Sequence, residues 1–256
     1  MQEVLDKLLW ADITIWSFPL YYFSVPGKLK TLMDRQLPMV LPFMERSAES
    51  GSHPTRYDMS SKRNVLISTC GFYTTEGNYD AATLYIFDSH SYSNIKGVKG
   101  YGWIENDQIE WYKKSSKAFT EKNQGKPLPS LAFFHIPIPE YTEAAADTGN
   151  FMVGTRKEKV CAPAINTGLG AAMLECGDMM GVFVGHDHVN DYATTWRGIL
   201  LCYGRYTGGN TVYNNIPGGN GARIIELREG ERAFKTWIRI KDGKIINMVD
   251  FPNDTK

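Results

Sequence analysis

The chain has 256 residues, and its 28 lysines and arginines are balanced by 28 aspartates and glutamates, so the formal net charge is zero. This balance argues against nucleic-acid binding, which normally requires a basic excess. No apolar run approaches the roughly 20 residues of a membrane-spanning helix. The acidic, amphipathic N-terminus lacks a signal-peptide pattern, so we expect a cytoplasmic protein without a membrane partner. Four scattered cysteines predict neither a disulfide scaffold nor a cysteine-based zinc site.

The first part of the chain predicts one unit of a parallel α/β sheet. A β-branched and aromatic run predicts a strand over residues 12–18, and a proline-bounded loop follows over residues 19–26. Apolar spacing predicts a helix over residues 28–37, and residues 64–69 form the next strand before a glycine-containing loop at 69–77. Ligands of such sheets bind at the loops that leave the carboxyl ends of the strands.

Two sequence motifs in this part are similar to those of a known family. The pattern A-D-x-x-I-x-x-x-P-x-Y ends at Tyr21, and S-T-C-G-F covers residues 68–72. Both resemble the flavodoxin-like NAD(P)H-dependent FMN reductases. The resemblance implies FMN binding by Pro19, Tyr21, Thr69, Cys70 and Gly71. The family's first strand and phosphate-binding loop have no counterpart here, so a βαβ fragment that packs without a cofactor is the alternative.

A different pattern follows, in which apolar strands end in histidines. Helical spacing predicts helices over residues 107–119 and 170–176, and an apolar run over residues 181–184 predicts a buried strand. That strand leads into G-H-D-H, which contains His186 and His188. In an extended segment these two side chains leave the same face while Asp187 leaves the other. Two convergent imidazoles suit Zn, Fe or Mn, although a pair of solvated loop histidines is the alternative.

A third histidine has a similar setting. His135 follows an apolar strand that starts at residue 130 and precedes a proline-bounded loop. Alone it would be an ordinary core or loop residue, but with His186 and His188 it is predicted to form one cluster. The rest of the chain predicts a strand-rich mixed sheet, with strands over residues 198–205, 222–227, 234–240 and 244–251 and a hairpin at 242–243.

These words resemble the C-terminal half of the calcineurin-like metallophosphoesterases, in their purple-acid-phosphatase-like branch. The matching words are F-H-x-P at 134–137, N-T-G at 166–168, G-H-D-H at 185–188 and Y-G-R-x-x-G-G at 203–209. The resemblance implies hydrolysis of a small phosphoester, with His135 and His186 on one metal ion and His188 on the other. Two such ions clamp the phosphate and generate a hydroxide nucleophile. No catalytic residue is assigned.

The sequence also departs from that family. The D-x-H, G-D-x-x-D and G-N-H-D/E words of the family's N-terminal half are missing, and F-D-S-H at 87–90 is interpreted as structural. Without a bridging aspartate, two ions lack an anionic ligand between them, whereas one zinc ion on three histidines remains feasible. The expected activity is therefore a metal-dependent phosphoric-ester hydrolase that is incomplete or inactive as an isolated chain. A flavin-binding oxidoreductase fragment and a non-catalytic metal-binding remnant are the alternatives.

The predicted fold class is α/β in two parts. Residues 1–81 form a flavodoxin-like βαβ fragment, and residues 82–256 form the strand-rich C-terminal half of a metallophosphoesterase αββα sandwich. Each half-sheet would expose an edge, so we expect a second copy or a partner chain to cover it.

Overall fold

The computed structural model describes residues 80–207 and 213–255 together with five backbone strands that precede them. These strands are β1 (Ile13–Pro19), β2 (Glu45–Arg46), β3 (Gly51–Ser52), β4 (Arg63–Thr69) and β5 (Gly71–Tyr73). The chain divides into two compact units, Met1–Cys70 and Gly71–Lys256. The boundary predicted between residues 81 and 82 separates the segments that resemble the two families, and it stays a prediction.

In the first unit, β1 and β4 pair in parallel. Their register runs from Ile13 opposite Arg63 to Pro19 opposite Thr69, so the carboxyl ends of both strands lie side by side. This is the strand arrangement that the sequence predicts. The helix predicted over residues 28–37 lies outside the described residues. Strands β2 and β3 form a separate antiparallel pair.

The second unit alternates strands and helices before it becomes all β. After β5, its elements are β6 (Asp80–Ile86), α1 (Asn106–Lys122), β7 (Ser130–Phe133), α2 (Glu140–Ala146), β8 (Met152–Val153), α3 (Leu169–Cys176), β9 (Met179–Val184), β10 (Ala193–Trp196), β11 (Ile199–Tyr203), β12 (Gly221–Leu227), β13 (Phe234–Ile240) and β14 (Ile245–Phe251). Strand β5 occupies part of the segment that was predicted as a loop over residues 69–77. The α/β class is confirmed.

A seven-stranded sheet in the order β5-β6-β7-β9-β11-β10-β8 organises this unit. Its neighbours β6, β7, β9 and β11 run parallel, so their carboxyl ends meet at one edge of the sheet. Strands β12, β13 and β14 form a second, antiparallel sheet. Segments that follow β7 and β9 therefore leave the large sheet as neighbours.

The two faces of the large sheet are covered differently. On one face, Tyr85, Val182 and Leu201 join a buried core with side chains of the helices, including Tyr112 and Met173. Burying a side chain of this size contributes about 1.5–3 kcal/mol. The opposite face packs on the second sheet, where the ring of Phe183 lies 5.9 Å from that of Phe234. Gly181 admits this contact, since a Cβ there would come within 2.8 Å of the Phe234 ring.

Part of the second face stays open. Ile86 at the end of β6 is 58% exposed, and every residue of β12 is only half-buried. An open cleft of about 580 Å³ lies between these strands, lined by Ile86, Phe133, Phe183, Ala222 and Ile225 among others. Across the described part of the chain, no helix is long and apolar enough to cross a membrane.

Candidate functional site

Two adjacent parallel strands bring the predicted histidines together. His135 follows β7, and His186 follows β9 after Gly185. The backbone N–H of Gly185 donates to the carbonyl of His135 at 3.0 Å, so the two segments touch directly. Nε2 of His135 lies 3.3 Å from Nδ1 of His186, with the two rings nearly perpendicular. The sequence-predicted approach of these two imidazoles is therefore present in the fold.

The segment after β9 is a turn, which corrects the extended conformation expected for G-H-D-H. His186 has a φ of +71°, and the N–H of Asp187 donates to the carbonyl of Gly185 at 2.9 Å. A left-handed non-glycine residue costs on the order of 1–3 kcal/mol, and histidine adopts this conformation more readily than most residues. Such a turn at the edge of a sheet directs His186 toward His135.

The environment favours the neutral form of both imidazoles. Burial lowers the pKa of His135, and His188 lowers it further while Asp187 opposes the effect. Burial also lowers the pKa of His186, against Asp187, and the two other histidines add to the decrease. His188 follows His186 by two residues in the segment after β9. Neutral imidazole is the form that binds a metal ion.

His188 is held by aromatic neighbours. Its Nδ1 lies 3.2 Å from the backbone carbonyl of Tyr213, and the rings of Tyr213 and Tyr206 lie 4.6 and 5.2 Å from its own. Tyr101 contacts His186 edge-on at 4.3 Å. Three tyrosines thus surround the two histidines of the G-H-D-H segment.

Asp187 is directed into the protein, as predicted. Its side chain is buried, and Oδ2 accepts hydrogen bonds from the hydroxyl of Tyr203 at 2.5 Å and from the N–H of Cys161 at 3.2 Å. Burial, and then Tyr192 and Asp187, raise the pKa of Tyr203 well above its usual range, so the hydroxyl stays a donor. Asp187 anchors the turn that carries the histidines.

The ring nitrogens of His135 and His186 fit part of the coordination shell of a metal ion. The 3.3 Å between Nε2 of His135 and Nδ1 of His186 matches the roughly 3.3–3.4 Å that separates two nitrogens around a tetrahedral zinc with bonds of about 2.0–2.1 Å. Among residues 80–207 and 213–255, no group of three His, Cys, Asp or Glu side chains is arranged to hold an ion. The pair therefore fits two ligand positions, and His188 as a further ligand stays a prediction.

Three residues near the histidines were not found from the sequence. Tyr101, Tyr213 and Glu158 come from three separate segments of the chain, and no sequence pattern pointed to them. The carboxylate of Glu158 accepts the hydroxyl of Tyr213 at 3.0 Å and the N–H of Val189 at 2.9 Å. Long-range contacts of this kind leave no local pattern.

Two of the predicted flavin-binding residues, Pro19 and Thr69, lie at one end of the first strand pair. Pro19 and Thr69 face each other at the carboxyl ends of β1 and β4, and Gly71 begins β5. Tyr21 and Cys70 lie outside the described residues. The placement of Pro19 and Thr69 agrees with two loops leaving the same sheet edge.

Comparisons with known proteins match both parts of the chain. A family model described as a flavodoxin-like fold matches residues 1–117, which extends past residue 81 into α1. The chain is 34% identical over 188 residues to "Probable inactive purple acid phosphatase 29" of Arabidopsis thaliana, covering 68% of this chain and 47% of that protein. It is 36% identical over 194 residues to "Phosphatase DCR2" of Saccharomyces cerevisiae, covering 70% of this chain and 32% of that protein.

The N-terminal part is flavodoxin-like, and the C-terminal part is similar to purple acid phosphatases. The resemblance to purple acid phosphatases is thereby confirmed, and the N-terminal resemblance is confirmed at the level of a flavodoxin-like fold. A shorter match of 35 residues is 54% identical to an iron-sulfur flavoprotein of Methanocaldococcus jannaschii, covering 14% of this chain and 18% of that protein. No solved structure matches the chain. The chain spans less than half the length of the phosphatase relatives named above.

Proposed function

We propose that residues 82–256 form a phosphoesterase-type unit that binds one divalent metal ion, Fe, Zn or Mn, through His135, His186 and His188. The observation that carries this proposal is the 3.3 Å approach of His135 Nε2 to His186 Nδ1 at the ends of adjacent parallel strands. The similarity of the C-terminal part to purple acid phosphatases supports a small phosphoester as the ligand. A bound ion would supply a Lewis acid and a water of lowered pKa.

We further propose that the isolated chain does not turn over phosphoesters. A two-metal site needs an anionic ligand between its ions. Among the described residues, the nearby Asp187 is occupied by Tyr203 and Cys161. Asp88 of the F-D-S-H word accepts the backbone N–H of His90 at 2.8 Å, and its own N–H and carbonyl bind the side chain of Gln108. These contacts support the structural interpretation of that word.

Metal content per purified chain tests the proposal. We expect one ion per chain in the wild type, its loss in His186→Ala and its retention in the control His90→Ala. Two ions lost together would instead indicate a dinuclear site, and phosphoester hydrolysis would then become the working hypothesis. A wild type that binds neither zinc, iron nor manganese would overturn the proposal.

Flavin binding by the first unit is a second candidate. The register that places Pro19 opposite Thr69 supports it, together with the flavodoxin-like match and the short match to a flavoprotein. The proposed FMN contacts are Pro19, Tyr21, Thr69, Cys70 and Gly71. Titration should quench flavin fluorescence in the wild type and less so in Tyr21→Ala. A colourless protein that leaves FMN fluorescence unchanged would rule this candidate out.

We also propose that a second copy or another chain covers the open sheet surface. The 58% exposure of Ile86, the half-buried edge strand β12 and the cleft between them support this proposal. A mass measurement across a concentration series distinguishes the two partners. A constant mass of 28.9 kDa would exclude self-association and leave another chain as the partner.

A further inference from the structure

Tyr213 joins two parts of the candidate site. Its hydroxyl donates to Oε2 of Glu158 at 3.0 Å, while its backbone carbonyl lies 3.2 Å from Nδ1 of His188. Its ring also covers the imidazole, with centroids 4.6 Å apart and planes inclined by 30°. One residue therefore contacts His188 through both its backbone and its ring, and it is fixed at its outer end by a carboxylate.

Glu158 is itself fixed to the turn that carries His188. Its Oε1 accepts the N–H of Val189, the residue that follows His188. The side chain of Asn190 accepts the N–H groups of Lys157 and Glu158 and donates to the carbonyl of Glu158 at 3.2 Å. This double attachment gives the carboxylate a defined position from which to hold Tyr213.

The contact with Tyr213 decides where the proton of His188 resides. A carbonyl oxygen can only accept a hydrogen bond, so Nδ1 must be the protonated nitrogen. In the neutral ring Nε2 then carries the lone pair and is the nitrogen available to an ion. Free neutral histidine side chains favour the opposite tautomer, with the proton on Nε2. The protein must therefore stabilise the less common form.

We propose that Tyr213, held by Glu158, is a positioning residue that fixes His188 in the Nδ1–H tautomer and keeps Nε2 available for binding. The consequence for metal affinity rests on the proposed function, whereas the tautomer does not. Partners that orient a metal-ligating imidazole typically change metal affinity 10–100-fold when they are removed. Tyr213 and Glu158 would act through His188 and would not themselves touch the ion.

Nitrogen-15 NMR of the histidine rings tests the tautomer without any metal. At about pH 8 an ordinary imidazole is neutral, so the shifts of Nδ1 and Nε2 report which nitrogen is protonated. We expect the Nδ1–H tautomer for His188 in the wild type. In Tyr213→Phe, which removes only the hydroxyl that Glu158 holds, the ring should shift toward the Nε2–H form. Glu158→Gln should shift it in the same direction.

Tyr92→Phe is the matched control. Tyr92 is 46% exposed, compared with 58% for Tyr213, and it stacks on Tyr101 in the same region without contacting His188. This variant should leave the tautomer unchanged. Zinc titration of the metal-free chain should show 10–100-fold weaker binding in Tyr213→Phe and unchanged binding in Tyr92→Phe.

The tautomer of His188 and the binding of zinc are measured separately, so either of the two proposals can fail without the other. A wild-type His188 in the Nε2–H form would overturn the positioning role, and so would a tautomer that both Tyr213→Phe and Glu158→Gln leave unchanged. If the wild type binds no zinc, the proposed function fails, while the tautomer measurement still decides the role of Tyr213. If Tyr213→Phe does not fold, Glu158→Gln supplies the same comparison.

Discussion

At the scale of single residues, the contact between His135 and His186 depends on the absence of a Cβ atom at Gly185. A Cβ at Gly185 would lie 3.3 Å from Nδ1 of His135, which is closer than most Cβ contacts in proteins. Gly185 does not have a positive φ, so alanine would be tolerated by the backbone itself. Its methyl group would instead press on the imidazole of His135 and move it away from His186.

We therefore expect Gly185→Ala to weaken zinc binding in addition to its effect on the fold. Overpacking of a well-packed site typically costs roughly 1–3 kcal/mol of stability, and displacement of a ligand should reduce zinc affinity about 10-fold or more. Zinc titration and urea unfolding measure the two effects. Gly149→Ala, whose Cβ would meet only the Asp147 side chain at 3.5 Å, is the control. Equal zinc affinity in Gly185→Ala and the wild type would contradict the expectation.

At this scale the sequence pattern predicted which histidines follow apolar strands, but it did not predict the conformation of the turn that carries His186. The three histidines were identified because each follows an apolar strand. The left-handed conformation of His186 was not anticipated, since it arises from the turn that Asp187 anchors through Tyr203 and Cys161. The contact between Glu158 and Tyr213 joins residues 55 positions apart, and only the tertiary fold brings them together.

At the scale of elements, a buried ion pair connects the turn after β9 with the end of β11. Nη1 of Arg205 donates to Oδ2 of Asp191 at 2.5 Å, and both side chains are fully shielded from solvent. Oδ1 of Asp191 accepts the N–H of Thr155 at 2.6 Å, and Asn247 of β14 donates to Oδ2 at 3.3 Å. Asp191 thus links the large sheet to the second sheet.

Removing one residue of the Arg205–Asp191 pair should strongly lower the free energy of unfolding, because the charge of the other residue would stay buried. We expect Asp191→Ala to lower the free energy of unfolding by about 3–5 kcal/mol. The exposed pair Arg197–Glu143, with side chains 61% and 59% exposed and 3.4 Å apart, is the comparison. Glu143→Ala should cost no more than about 1 kcal/mol. Urea unfolding at equilibrium measures both, and similar losses would contradict the assignment.

The start of helix α3 packs closely against a side chain of helix α2. Gly170 lies in its first turn, and a Cβ there would come within 2.5 Å of Oε1 of Glu140. Glu140 is buried and accepts the side-chain amide of Asn166 at 3.0 Å, so its carboxylate cannot easily move. The lack of a side chain at Gly170 therefore reflects the position of a carboxylate from α2.

The coupling between these two residues can be measured in a double-mutant cycle. Gly170→Ala alone should destabilise the protein by about 1–3 kcal/mol through the clash. In a Glu140→Ala background the clash is gone, and the same substitution should become stabilising by up to about 1 kcal/mol because alanine favours helix. Unfolding by urea gives all four free energies. An identical effect of Gly170→Ala in both backgrounds would show that Glu140 does not constrain this position.

Most elements of the second unit follow from sequence pattern. Helix α1 was predicted because Ile109, Tyr112 and Ser116 recur at helical spacing, and all three are buried. Helix α2 was missed because Pro137 and Pro139 suggested a loop, whereas Pro139 precedes the helix and is compatible with its start. Strand β10 was missed because its two threonines gave no apolar run. Short elements of this kind depend on neighbouring strands for their stability.

At the scale of the whole molecule, two resemblances meet in one chain, and the phosphatase-like unit retains an open surface. The flavodoxin-like match extends to residue 117, and the phosphatase-like matches cover 68–70% of the chain, so the two matches share residues. Sequence patterns therefore identify both similarities but do not place a single boundary between them. Packing gives its own division between Cys70 and Gly71.

If a second copy covers the open surface, as proposed above, the apolar side chains of the cleft should contribute to self-association of the purified chain. Ile86 is 58% exposed beside Phe133 and Ile225, and apolar surface of this kind contributes about 25 cal/mol per Å² when it is buried.

A lysine at position 86 would have to lose its hydration in any contact between two copies. Ile86→Lys should therefore weaken self-association at least about 10-fold, as measured by sedimentation at several concentrations. Leu174→Lys, at a 40% exposed position of α3 outside the cleft, should leave it unchanged. Equal weakening by both variants would indicate a general effect of added charge, and a wild type that stays monomeric would mean that the cleft is left for a different chain.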